Sequence, residues 1–135
     1  VVLCTGKVYY DLLQARRDLK IDDVALVRVE QLYPWPRNTI VETIRRYKNA
    51  ELFWCQEEPA NMGGWMFVYP RLEYILEILG KKQIRAHYAG RKASASPATG
   101  LAKVHAQEQK QLVEQALKSK PEDLIRPFIR QTAMA

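Results

Sequence analysis

Val1-Val2-Leu3-Cys4-Thr5-Gly6-Lys7-Val8-Tyr9-Tyr10-Asp11-Leu12 opens the chain, and its reading decides the fold. The first four residues are apolar and suit a short buried strand. Thr5-Gly6-Lys7 is a turn in which Gly6 is free to take a backbone angle other residues avoid. From Val8 to Leu19 the apolar residues Val8, Leu12, Ala15 and Leu19 recur at helical spacing, with Arg16, Arg17 and Asp18 left for water. A strand feeding a helix through a three-residue turn is the first half of a crossover unit.

The same alternation continues downstream. Val24 to Val29 is β-branched and almost wholly apolar, which suits a strand covered on both faces. Tyr33-Pro34-Trp35-Pro36 is a stiff connector, and Pro36 is placed to open a helix over 37–47 with Ile40, Val41 and Ile44 as its buried stripe. Glu51 to Gln56 reads as a third strand, which Glu57-Glu58-Pro59 should stop. Asn61-Met62-Gly63-Gly64 is a turn, Trp65 to Leu79 a helix that Pro70 bends or begins, and Ile84 to Tyr88 a fourth strand. Gln107 to Leu117 is an amphipathic helix on Leu112, Val113, Ala116 and Leu117. Strands and helices alternating at this spacing predict an α/β class protein: three layers, α/β/α, around a mainly parallel or mixed sheet of about five strands. One domain is expected over 1–118, followed by an extension over 119–135 whose role the sequence does not define.

Charge is unevenly placed. The net +6 comes from 21 basic and 15 acidic residues. Lys81, Lys82, Arg85, Arg91, Lys92 and Lys103 lie in a stretch, 81–105, that holds no Asp or Glu, and these six account for the whole excess. Such a segment attracts anions, among them phosphates and acidic protein surfaces. No helix-turn-helix, zinc finger or RNA-binding signature accompanies it, so nucleic acid is not expected as a partner. No apolar run approaches the roughly 20 residues of a membrane span, so a membrane is not expected either. The chain opens without Met and without a basic leader, which suggests a segment of a longer protein.

Chemistry-bearing residues are sparse. Cys4 and Cys55 sit in apolar runs without metal spacing and read as buried, reduced thiols. Neither His87 nor His105 has Cys, Asp or Glu at metal spacing. No nucleophile elbow occurs. Gly6-Lys7 between a strand and a helix can meet a phosphate, although the spaced glycines of a nucleotide loop are missing. Glu57-Glu58 could serve acid–base chemistry only if the two carboxylates converged, and a structural role is the better reading. Arg91-Lys92 with Ser94 and Ser96 combines cations, hydroxyls and small neighbours, as an anion site or a packed surface requires. The candidate anion, effector or interface contacts are therefore Lys7, Arg45, Arg46, Arg91, Lys92, Ser94 and Ser96. No catalytic, cofactor-binding or metal-ligating residue is assigned.

Together these segments resemble one family in order and spacing. The opening stretch over 2–12, Val27-Arg28-Val29-Glu30-Gln31-Leu32-Tyr33-Pro34-Trp35-Pro36, Trp54-Cys55-Gln56-Glu57-Glu58-Pro59, Tyr88-Ala89-Gly90-Arg91, Ser94-Ala95-Ser96-Pro97-Ala98-Thr99-Gly100 and Lys103-Val104-His105 are similar to the C-terminal domain of 2-oxoglutarate dehydrogenases. Trp35 in place of Phe, Lys48 in place of Pro, and Met62-Gly63-Gly64-Trp65 depart from the family pattern. The resemblance implies a fold like the C-terminal domain of transketolase. It implies thiamine diphosphate and magnesium, held by two larger preceding domains, with no cofactor on this segment. It implies three partners: those domains, a second subunit in a homodimer, and the lipoyl-bearing second component that receives the succinyl unit. The implied setting is bacterial cytoplasm or mitochondrial matrix. A scaffold or dimer-interface role is expected; the alternative is a regulatory module for an anionic nucleotide or coenzyme A.

Overall fold

A computed structural model describes residues 1–118 and 120; the expected extension over 119–135 lies, Lys120 apart, outside the described residues. The elements run β1 (Val2–Cys4), α1 (Val8–Asp18), β2 (Leu26–Arg28), α2 (Arg37–Arg45), β3 (Phe53–Pro59), α3 (Trp65–Ile78), β4 (His87–Arg91) and α4 (Ala102–Lys118). The strands form one sheet in the order β2-β1-β3-β4. All three pairings are parallel. Among the described residues the sheet therefore has four strands, one fewer than about five.

Strand alternation sorts the apolar residues onto two faces. Leu3, Leu52, Trp54, Ala86 and Tyr88 join Ile40, Val41 and Ile44 of α2 and Val68, Leu72, Ile75 and Leu76 of α3 in one core. Val2, Cys4, Phe53, Cys55 and Ala89 join Val8 and Leu12 of α1 and Leu112, Val113, Ala116 and Leu117 of α4 in the other. A fully buried Leu or Val contributes about 1.5–3 kcal/mol, so neither layer is dispensable. The helices change face where strand progression reverses, as crossovers of a single hand require.

Five local expectations are corrected. The run around β2 was expected to be covered on both faces, but β2 is an edge strand with Leu26 and Val27 half-buried and Arg28 exposed. Arg28 lies over the rings of Tyr9 and Tyr10, 4.7 and 5.5 Å from their centroids. The third strand does not stop at Gln56: it continues through Glu57 and Glu58 to Pro59. It bulges there, since β3 advances from Cys55 to Pro59 while β4 advances only from Ala89 to Arg91. The fourth strand begins at His87 rather than Ile84. Ile84 is 80% exposed. The Gln83 side chain takes the place of a strand backbone, accepting from Leu52 N–H at 2.7 Å and donating to its carbonyl at 2.9 Å. The last helix starts at Ala102, five residues before Gln107. Pro70 neither begins nor ends α3, which is continuous from Trp65.

The bulge is filled by Tyr88. Its hydroxyl donates toward the carbonyls of Arg91 at 2.8 Å and Glu58 at 3.3 Å. Gly90 lies against that hydroxyl. A Cβ at position 90 would stand 2.5 Å from Tyr88 Oη and 2.9 Å from the Gln56 carbonyl. Gly90→Ala should therefore destabilise the domain by about 1–3 kcal/mol, the usual cost of overpacking, as read by urea unfolding. An unchanged midpoint would show that the bulge yields freely.

Candidate functional site

Ligands of open parallel sheets bind beyond the carboxyl ends of the strands, where strand order reverses. Here that point lies between β1 and β3, and its residues are already engaged with one another. Lys7 Nζ is 2.8 Å from Asp11 Oδ2 and 3.4 Å from Glu57 Oε1. Gln109 Nε2, from α4, donates to the same two carboxylates at 2.8 Å each. The Gly6 N–H points at Glu30 Oε2, 3.4 Å away. The hydrogen bond with Asp11, against a small opposing desolvation and with added attraction from Glu57, raises the Lys7 pKa. The ammonium and amide that a phosphate would seek are thus held by carboxylates of the chain itself.

Glu57 and Glu58 are neighbours on a strand and diverge. Glu57 faces Lys7 and Gln109, whereas Glu58 packs under Gly63, whose φ is +64°. They form no acid–base pair. No group of three or more His, Cys, Asp and Glu that could hold a metal occurs among the described residues. The crevice residues do not fit a diphosphate, because Lys7 and the Gly6 N–H are held by carboxylates that would repel it.

The other candidate residues do not converge with Lys7. Arg91, on β4, has its Nε 2.8 Å from Glu108 Oε2, an ion contact without hydrogen-bond alignment. Its Nη1 donates to the Pro97 carbonyl at 2.9 Å. Ser94 is tied through its backbone to the Asn61 amide at 2.9 and 3.0 Å, and its hydroxyl accepts from Ser96 N–H. Ser96 Oγ donates to the Ala98 carbonyl at 2.8 Å. The 94–98 turn is thus braced internally. Lys92 makes no ion pair among the described residues. Arg45 and the exposed Arg46 end α2 at the opposite edge of the sheet. Arg45 lines a cleft with Lys48, Lys81 and Lys82 there.

The role of Gln56 is not legible in the sequence. It is the one buried polar residue among those described, 1% exposed. Its Oε1 accepts from the Trp54 indole at 3.0 Å and from Trp65 N–H at 2.9 Å. Its Nε2 is shared among the carbonyls of Glu58, Pro59 and Met62 at 3.2, 3.1 and 2.8 Å. An amide inside the apolar run Phe53-Trp54-Cys55 was the available signal, because buried polar groups must be paired.

The family model of the 2-oxoglutarate dehydrogenase C-terminal domain matches residues 1–117. The chain belongs to that family. Similar proteins in Brucella anthropi and Brucella ovis, each called "2-oxoglutarate dehydrogenase E1 component", are 52% identical over 117 residues. The match covers 87% of this chain and 12% of each relative's length. The chain therefore spans about an eighth of the relatives it matches. The three-layer α/β expectation agrees with the parallel sheet and its two helical layers.

The two thiols also lie deep in this family domain. Cys4 and Cys55 are register partners on β1 and β3, free and fully buried. Burial pushes the Cys4 thiol up to about 12, and raises Cys55 further.

Two outcomes follow. Gln56→Leu should cost about 2–4 kcal/mol in urea unfolding, because five backbone and indole groups lose one partner each and some stay dry. A cost under about 0.5 kcal/mol would mean that water replaces the amide. For Cys4 the folded pKa lies above the unfolded one. Unfolded chains then bind fewer protons above pH 9, and stability falls as pH rises from about 9 to 12. The slope approaches about 1.4 kcal/mol per pH unit for one such group. Cys4→Ala should lower the slope by about that amount and leave the part that Cys55 contributes, and an equal slope in wild type and variant would contradict the assignment.

Proposed function

We propose that this chain is the C-terminal domain of the thiamine-diphosphate-dependent component that oxidatively decarboxylates 2-oxoglutarate and succinylates the lipoyl group of the next component. In this reading the reacting centre, with thiamine diphosphate and magnesium, belongs to other domains. The domain serves as a scaffold that docks on those domains and contributes to a homodimer. The setting would be bacterial cytoplasm or mitochondrial matrix.

The observation that carries the scaffold reading is helix α3. Its inner face fills a core, yet its outward face is apolar as well. Met66 and Tyr74 are each 50% exposed, Ile78 is 46% exposed, and Pro70 is exposed between them. These residues recur every four positions and so form one stripe along the helix. An apolar stripe left open to water on a helix whose inner face is already packed marks a surface for a covering partner. A single regulatory anion site made by Lys7, Arg45, Arg46, Arg91, Lys92, Ser94 and Ser96 is disfavoured, because Arg45 and Arg91 lie at opposite edges of the sheet and Lys7 and Arg91 are held by carboxylates.

The test is a pair of substitutions, Met66→Glu with Tyr74→Glu, in the isolated chain and in the intact enzyme. The isolated chain should melt within about 2 °C of wild type, since surface changes are usually small. The intact enzyme should lose thermal stability and dimer by analytical ultracentrifugation. Equal behaviour of the intact variant and wild type would overturn the docking role of α3.

A further inference from the structure

A cleft of about 720 Å³ opens at the amino-terminal edge of the sheet, far from the carboxyl-end crevice. The last turn of α2 and the segment to Glu51 form one wall, and the end of α3 with Gly80–Gln83 forms the other. Its charged lining is Arg45, Lys48, Lys81 and Lys82 against one carboxylate, Glu51. That carboxylate is already 3.4 Å from His87 Nε2.

The four cations divide into two kinds. Lys81 is structural: its ammonium donates to the carbonyls of Tyr47, Lys48 and Ala50 and so braces the turn that follows α2. Arg45, Lys48 and Lys82 have no ion pair among the described residues. Arg45 and Lys48 are exposed and three residues apart, and Lys82 comes from the other wall. Three like charges are therefore brought to one cleft by two separate chain segments, with Glu51 the one carboxylate in its lining. Such a cluster attracts an anionic partner.

The shape of the field selects the kind of anion. Helices α2 and α3 both end at the cleft, so their C-terminal carbonyls bring partial negative charge to its walls. A compact oligophosphate would have to approach those carbonyls. Separate carboxylates on an extended segment can instead reach the outward cations one by one. The floor includes Ile78, Leu79 and Ala50, which suits the aliphatic stems of acidic side chains. We propose that this cleft docks an acidic, extended segment of a neighbouring polypeptide, with Arg45, Lys48 and Lys82 as its carboxylate contacts. The stripe on α3 meets this cleft only at Ile78, and the carboxylate contacts do not involve Met66, Pro70 or Tyr74.

The test uses the 135-residue chain and a hexaglutamate peptide at low salt, followed by heteronuclear NMR. Shifts should concentrate at residues 45–51 and 78–83, and affinity should fall as salt screens the charges. Arg45→Glu with Lys48→Glu and Lys82→Glu should weaken binding about tenfold or more, while the distant Lys103→Glu should change it by less than about twofold. If the triple reversal fails to fold, the Gln triple replaces it, with about threefold weakening or more expected. Overturning results are no binding, shifts spread evenly over all basic residues, or a triple variant that binds as wild type does. Inorganic diphosphate binding the same residues more tightly than the peptide would also overturn the proposal and mark a phosphate site.

Discussion

A single buried amide holds the carboxyl-terminal half of the domain in place. Gln56 sits at the bulge of β3, and its side chain bonds the strand, the turn after it and the first turn of α3. The Trp65 N–H is one of the orphan donors that every helix N-terminus carries, and Gln56 Oε1 satisfies it inside the protein. In a low-dielectric interior such a network is strong when complete and costly when broken. It also explains the neighbouring sequence. Gly63 adopts a positive φ against Glu58, and Gly64 lies under the Trp54 ring, where a Cβ would come within 3.0 Å of the indole.

From this anchor the two edges of the sheet take different characters. At the carboxyl edge, carboxylates, Lys7 and Gln109 neutralise one another, and α4 is pinned to α1 and β3 by the same contacts. The usual ligand crevice of the fold is thereby spent on cohesion. At the amino edge Lys81 braces the turn after α2, and Arg45, Lys48 and Lys82 make no ion pair among the described residues. The basic excess counted in the sequence thus has several fates. Arg85 meets Glu73 at 3.3 Å, Arg91 meets Glu108, and Lys82 joins the amino-edge cleft.

Much of this was legible in the sequence because it is local. The strand, turn and helix over 1–18 follow from apolar spacing alone, and so do the buried stripes of α2 and α4. The burial of Cys4 and Cys55 followed from their apolar neighbours. What was missed depends on contacts between distant residues. Nothing in Gln83-Ile84-Arg85 says that a side-chain amide will replace a strand backbone, so β4 was placed three residues early. Glu57-Glu58-Pro59 is a poor strand by propensity, yet pairing with Arg91 and the Tyr88 hydroxyl carries β3 through it. The candidate cations come from one stretch and three outlying positions, Lys7, Arg45 and Arg46, and only the fold shows that Arg45 and Arg91 face opposite edges.

The most direct measurement of the account is hydrogen exchange at Trp65 N–H and the Trp54 indole N–H. Both donate to the same buried oxygen of Gln56. If that amide anchors the fold, both should exchange only with global unfolding, at the rate of the β1 and β3 amides. Exchange of either at the rate of a frayed helix end or an open loop would contradict it.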